Sequence, residues 1–169
     1  MPFTAYEATV PVYDRLLTQL KGILDKAAAH AAARKVEQAV YITARLYPDM
    51  WSLAQQVRAA CSHVIRGTSR LAGIPIPTFD GPDATFDDLK ARLDHALAHV
   101  RGLPKEKLAG GEDREIVFPA GDKEHRLSGA DYLLHFSLPN FYFHLTTAYD
   151  ILRHNGVPLT KDDFMGETR

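Results

Sequence analysis

Four stretches of this chain place an apolar side chain at every third or fourth position, a spacing that suits an α-helix with one buried face. In the first, which runs to about Ala33, the stripe is Val12, Leu16, Leu17, Leu20, Ile23, Leu24 and Ala27. Thr4 and Glu7 precede it at capping-box spacing, where each side chain can satisfy the other residue's free backbone N–H. Pro11 has no N–H, so it either kinks this helix or marks its true first turn behind Thr9. The second helix is expected to open at Pro48-Asp49 and to close at Gly73, with Met50, Leu53, Val57, Ala60, Cys61, Val64, Thr68 and Leu71 on its stripe. The third carries Phe86, Leu89, Leu93, Leu97 and Val100 behind a Thr85/Asp88 box. The fourth begins behind Ser128 and Asp131, is divided by Pro139 and ends at Asn155-Gly156.

The segments between them read as connectors. Val36, Val40, Tyr41 and Leu46 are candidate packing residues after the first helix, and IPIPTFDGPD is a loop. Pro104 to Asp113 reads as irregular and exposed. Glu115–Phe118 and His125–Leu127 flank a turn at Ala120-Gly121-Asp122 and suggest a short hairpin, in which Pro119 limits pairing. Helices of about 20 residues are about 30 Å long and bury their stripes best side by side. The fold class is therefore all-α: a four-helix bundle with a short β-hairpin before the last helix, as one domain over residues 1–169.

Charge and composition exclude several functions. Twenty Lys and Arg against 21 Asp and Glu leave a net charge of −1, which supplies no basic stripe for nucleic acid and no electrostatic membrane anchor. The N-terminus lacks the basic and apolar regions of a signal peptide, and Tyr132–Tyr149 is too polar to span a bilayer. A reduced, cytoplasmic setting is the default reading. The single cysteine excludes an internal disulfide, and Cys61 reads as a small buried hydrophobe. Gly-rich phosphate loops, nucleophile elbows and paired carboxylates are missing from the sequence.

Chemistry rests on eight histidines. His95 and His99 have the i, i+4 spacing of a chelating pair, but they stand opposite Leu89, Leu93 and Leu97 and share a face with Asp88 and Arg92. A solvated pair is expected. His144 instead lies on the apolar stripe with Phe141, Leu145, Ala148 and Leu152, one turn after Asn140, and a buried imidazole must find a hydrogen bond or a metal. Gln56 and His63 share one side of the second helix and flank its stripe. His135 is half a turn out of phase with His144 unless Pro139 reorients the chain, and His154 suits the C-terminal dipole of its helix. Asp49 is expected to complement the dipole of the second helix, with Arg45 as its partner.

The segments ARLYPDMWSLAQQV, SRLAGIPIP, TFDDLKARL and above all LPNFYFHLTTAYDILRHNGV stand in order over most of the chain. They resemble a family of bacterial and fungal proteins without assigned activity in the DinB/YfiT-like metalloenzyme superfamily. The resemblance implies a DinB-like four-helix bundle of up-down-down-up topology and a homodimer. It also implies a divalent metal on three histidines, one from the second helix and two from an HxxxH on the fourth, which some relatives use to activate a thiol for transfer or isomerisation. Aligned on that helix, His144 takes the second histidine of the HxxxH and Asn140 stands at the first, while Gln56 or His63 lies nearest the remaining ligand. An amide is a poor ligand for zinc or nickel. The expectation is a degenerate metal-site pocket around His144, Asn140, Gln56 and His63 that binds a small molecule or serves structure. The alternative is a divalent-metal enzyme, with zinc or nickel on His144.

Overall fold

The computed structural model describes residues 4–166. Four long helical segments dominate: α1 (Ala5–Ala33), α3 (Leu53–Ala72), α4 (Phe86–Arg101) and α6 (Leu138–His154). Short helices α2 (Gln38–Ile42), α5 (Gly129–Tyr132) and α7 (Lys161–Met165) and the strands β1 (Glu115–Ala120) and β2 (Lys123–Ser128) join or extend them. The hairpin precedes the last long helix, as expected, and Pro119 keeps register opposite Glu124.

The pairings between helices fix their directions. Along α1 and α4, Asp25 meets Lys90 at 2.9 Å, Lys21 meets Asp94 at 2.5 Å and Asp14 meets Arg101 at 2.7 Å. One number rises as the other falls, so the pair is antiparallel. Such surface ion pairs contribute little stability but record the register. Cys61 and Ser62 line one cavity together with Arg92 and His95, and Thr68 bonds His99 at 2.9 Å, so α3 and α4 run parallel across the crossover loop. Gln56 meets His144 while Gly67 abuts Ser137, so α3 and α6 are antiparallel. The order is thus up-down-down-up. Tyr13, Leu17, Leu20, Leu24, Val57, Val64, Leu89, Leu93, Phe141 and Ile151 fill the centre.

Local chemistry explains the helix ends, including those the sequence misplaced. Thr85 and Asp88 form the expected reciprocal box, and Gly73 takes the left-handed cap at φ 64°. Helix α3, however, starts at Leu53, not at Pro48-Asp49. Its box is Ser52 with Gln55, whose Oε1 accepts the Ser52 N–H at 2.9 Å. Residues 48–52 instead form a bend closed by an Arg45–Ser52 bridge, and the Arg45 guanidinium donates to the Met50 carbonyl, not to Asp49. Thr4 caps α1 by accepting the Glu7 N–H, but the Glu7 carboxylate turns to Lys105 at 2.5 Å. Pro11 lies inside α1. Val40 and Leu46 are exposed while Ile42 is buried, and Leu108 is buried within the Pro104–Asp113 segment. Helix α7 was not expected from the sequence, although Thr160 and Asp163 form a capping box at its start.

Before α6 the chain makes one π turn, Leu133–Ser137, in which the Leu138 N–H bonds the Leu133 carbonyl five residues back. Pro139 follows within the first turn of α6, where its missing N–H costs least. The turn carries Ser137 into the core, where its Oγ lies 3.4 Å from the Tyr13 hydroxyl. Ile116, Phe118 and Tyr132 form a second small core that attaches the hairpin. Arg70 clamps it, donating to the Tyr132 hydroxyl at 2.9 Å with its guanidinium over the Phe118 ring. Two backbones meet at the base of this unit: a Cβ on Gly129 would stand 1.8 Å from the Gly111 carbonyl oxygen. No helix among the described residues is long and apolar enough to cross a membrane.

Candidate functional site

Helix α3 and helix α6 bring Gln56, His63 and His144 together, 88 residues apart in the closest pairing. His144 is 8% exposed and Gln56 is 1% exposed. The His144 Nδ1 lies 2.7 Å from Gln56 Oε1, and Gln56 Nε2 donates to the Trp51 carbonyl at 3.2 Å. The second bond decides the first. A carbonyl only accepts, so the Gln56 nitrogen must face Trp51 and its oxygen must face the imidazole. The proton therefore sits on Nδ1 of His144, and Nε2 carries the lone pair.

Aromatic rings surround this dyad. The Trp51 indole stacks on the His144 ring with centroids 5.4 Å apart and planes 9° from parallel. The His63 ring stacks at 5.5 Å and 19°, and Phe143 meets the imidazole edge-on at 5.3 Å. His63 touches Phe136 in turn at 5.9 Å, which ties it to the hairpin core. Trp51 is half exposed. It gave no sequence signal of its own, because it precedes the helix and reaches the site only through the bend at residues 48–52.

Burial favours the neutral form of both imidazoles. Burial lowers the pKa of His144. His63 is pushed down to about 4, first by burial, then by His144 and by Arg66 and Arg70. Unfolding returns His63 to its ordinary 6.5, so between those values the unfolded chain binds the extra proton. Stability contributed by neutral His63 is whole above about 6.5 and is lost as the pH falls toward about 4. Urea midpoints measured across that window should decline in the wild type and decline less in His63→Gln. Equal slopes for both would remove His63 as the cause.

Asn140 does not join the dyad. Its Nδ2 donates at 2.7 Å to the Phe136 carbonyl, one turn back on its own helix. His135 points away as expected from its phase, 74% exposed beside Asp131. The residues present do not fit a three-histidine centre. The HxxxH position holds an amide, Gln56 spends its oxygen on the imidazole, and no group of three or more His, Cys, Asp or Glu among the described residues converges on a point.

The HALAH pair is not solvated. His99 is half-buried, with its Nε2 2.9 Å from Thr68 Oγ1, and the His95 ring lies against Phe79 at 5.2 Å. The expectation failed because α4 packs on α1 with one flank and on α3 with another, so the face opposite its leucines is also covered. Arg92 on that face is only 8% exposed. Cys61 is buried, and burial pushes its thiol up to about 12, so it behaves as an inert core residue.

The domain of unknown function DUF1993 matches residues 5–165. The chain is also similar to a DinB family member protein from Shewanella denitrificans, whose crystal structure it matches with 35% identity and a TM-score of 0.89 over 96% of this chain and 92% of that one. No curated protein matches the chain.

Proposed function

The chain belongs to the DUF1993 family and has a DinB-like fold, and from that premise we propose that the rings of His144, His63 and Trp51, braced by Gln56, form a small-molecule site that works through neutral imidazole in place of a three-histidine metal centre. The observation that carries this reading is the 2.7 Å bond from His144 to Gln56. It holds the ring in one tautomer and leaves Nε2 as a basic acceptor beside an exposed indole face. A ligand with an O–H, N–H or S–H donor and a flat apolar body suits those two features. Asn140 stands one turn before His144 on the same helix. The exposed Trp51 and Phe143 rings beside His144 also support a homodimer that covers this face.

A second reading keeps a divalent metal enzyme, of thiol transferase or isomerase type. It is favoured by the same dyad, since a metal-binding histidine ordinarily donates its other ring N–H to a carbonyl, and His63 offers a second neutral imidazole. Residues of this chain would then bind and orient: His144 and His63 as donors, Gln56 as the brace.

Trp51 is the only tryptophan, so its fluorescence reports this site alone. Phenol should change that fluorescence saturably, toluene should do so much more weakly, and His144→Ala should abolish the difference. Zinc or nickel at near-stoichiometric amounts should leave the melting temperature unchanged. A metal-dependent rise that disappears in His144→Ala would establish the second reading instead, worth about 2.7 kcal/mol at a hundredfold excess over the dissociation constant.

A further inference from the structure

The parallel helices α3 and α4 and the crossover loop line a cavity of about 250 Å³. Its lining combines apolar side chains, among them Ile65, Ile76 and Phe79, with cationic and hydrogen-bonding ones, Arg58, Arg66 and His95. The volume falls just below the usual range for drug-sized ligands, so the occupant is small.

The charges around it do not cancel. Arg92 also lines the cavity, but it is consumed: its Nε donates to Asp83 at 2.5 Å, its Nη2 to the Gly81 carbonyl at 2.9 Å, and its guanidinium covers the Phe79 ring. Arg58 reaches the same Asp83 only at 3.6 Å. Arg66 makes no hydrogen bond or ion pair to a described residue. Three guanidiniums thus stand against two carboxylates, Asp83 and the lining Asp80, and one positive charge is in surplus. His95 Nε2 adds a buried nitrogen without a hydrogen-bond partner among the described residues. A buried polar atom of this kind is stabilised when a ligand atom pairs with it.

We propose that this cavity binds a small monoanion with a carboxylate at one end and an apolar body at the other. The carboxylate lies between Arg58 and Arg66, whose planar forks match it, and the body rests on Ile65, Ile76 and Phe79 within hydrogen-bond reach of His95. The site shares no lining residue with the His144 cluster, and its assignment does not rest on the reading of that cluster.

Benzoate is a suitable probe, followed by amide chemical shifts on the full chain. Binding should saturate, with shifts confined to residues 58–66, 76–80 and 92–95. Arg66→Gln, at an exposed position that leaves folding intact, should weaken benzoate about tenfold, and Arg58→Gln by a similar factor. Benzamide, the uncharged equivalent, should bind at least as weakly as benzoate does to those variants. Benzamide binding as well as benzoate, indifference to both arginine substitutions, shifts outside those segments or an absence of saturation would each overturn the proposal. Tighter binding of inorganic phosphate than of benzoate would overturn the apolar half of it.

Discussion

Arg92→Ala is expected to cost about 3 kcal/mol of unfolding free energy, the lower part of the range for removing one partner of a buried ion pair. The reasoning rests on what the side chain holds. Arg92 is 8% exposed and Asp83 beside it is nearly as sheltered, with 15% of its side chain exposed. Removing the guanidinium leaves that carboxylate to Arg58 alone, at 3.6 Å. It also frees the carbonyls of Phe79 and Gly81 and uncovers the Phe79 ring. The crossover loop between two parallel helices is thereby unpinned at its middle. Urea denaturation should show the loss, and limited proteolysis should show new cleavage near residues 79–83. Arg92→Lys keeps the charge without the fork and should fall between the two proteins. A loss below about 1 kcal/mol would show that the loop is held by its prolines and not by Arg92.

Gly129→Ala is expected to cost as much, about 3 kcal/mol, because the added methyl meets backbone and not a movable side chain. The position lies at 1.8 Å from the Gly111 carbonyl oxygen, and the next residue, Ala130, donates to the Glu112 carbonyl at 2.8 Å. Relief requires the segment before the hairpin to separate from the start of α5. By contrast, Gly22→Ala, where a Cβ meets nothing within 4 Å, should stabilise helix α1 slightly. Thermal melts of the two variants should therefore shift in opposite directions. Similar shifts would mean that the close approach at Gly129 relaxes at little cost.

These residues also show what was legible in the sequence. Period and capping chemistry are local, so Thr85 with Asp88, the stripe from Leu53 to Leu71 and the C-cap at Gly73 could be read directly. The start of α3 misled because Pro48-Asp49 imitates a helix entry, while Ser52 and Gln55 form the working box. His144 was legible as a buried polar residue on an apolar stripe. Gln56 and His63 were legible only as neighbours of the same pocket, because deciding which of them bonds the imidazole requires the crossing of α3 and α6. Trp51 was invisible, since its place depends on a bend held by Arg45. The pair in HALAH was misjudged for a related reason: a helix packed on two flanks has no free back, and the number of neighbours is not written in one helix's period.

The π turn at Leu133–Ser137 has a consequence for how this site can change. Each residue advances a helix by about 100°, so a single-residue insertion or deletion there would swing all of α6 about its axis. His144 would leave Gln56 and another side chain of the same helix would take its bearing. Point substitutions leave that bearing alone. The identity of the group presented to α3 is thus encoded partly as a length, in five residues that make no hydrogen bond to the imidazole they aim.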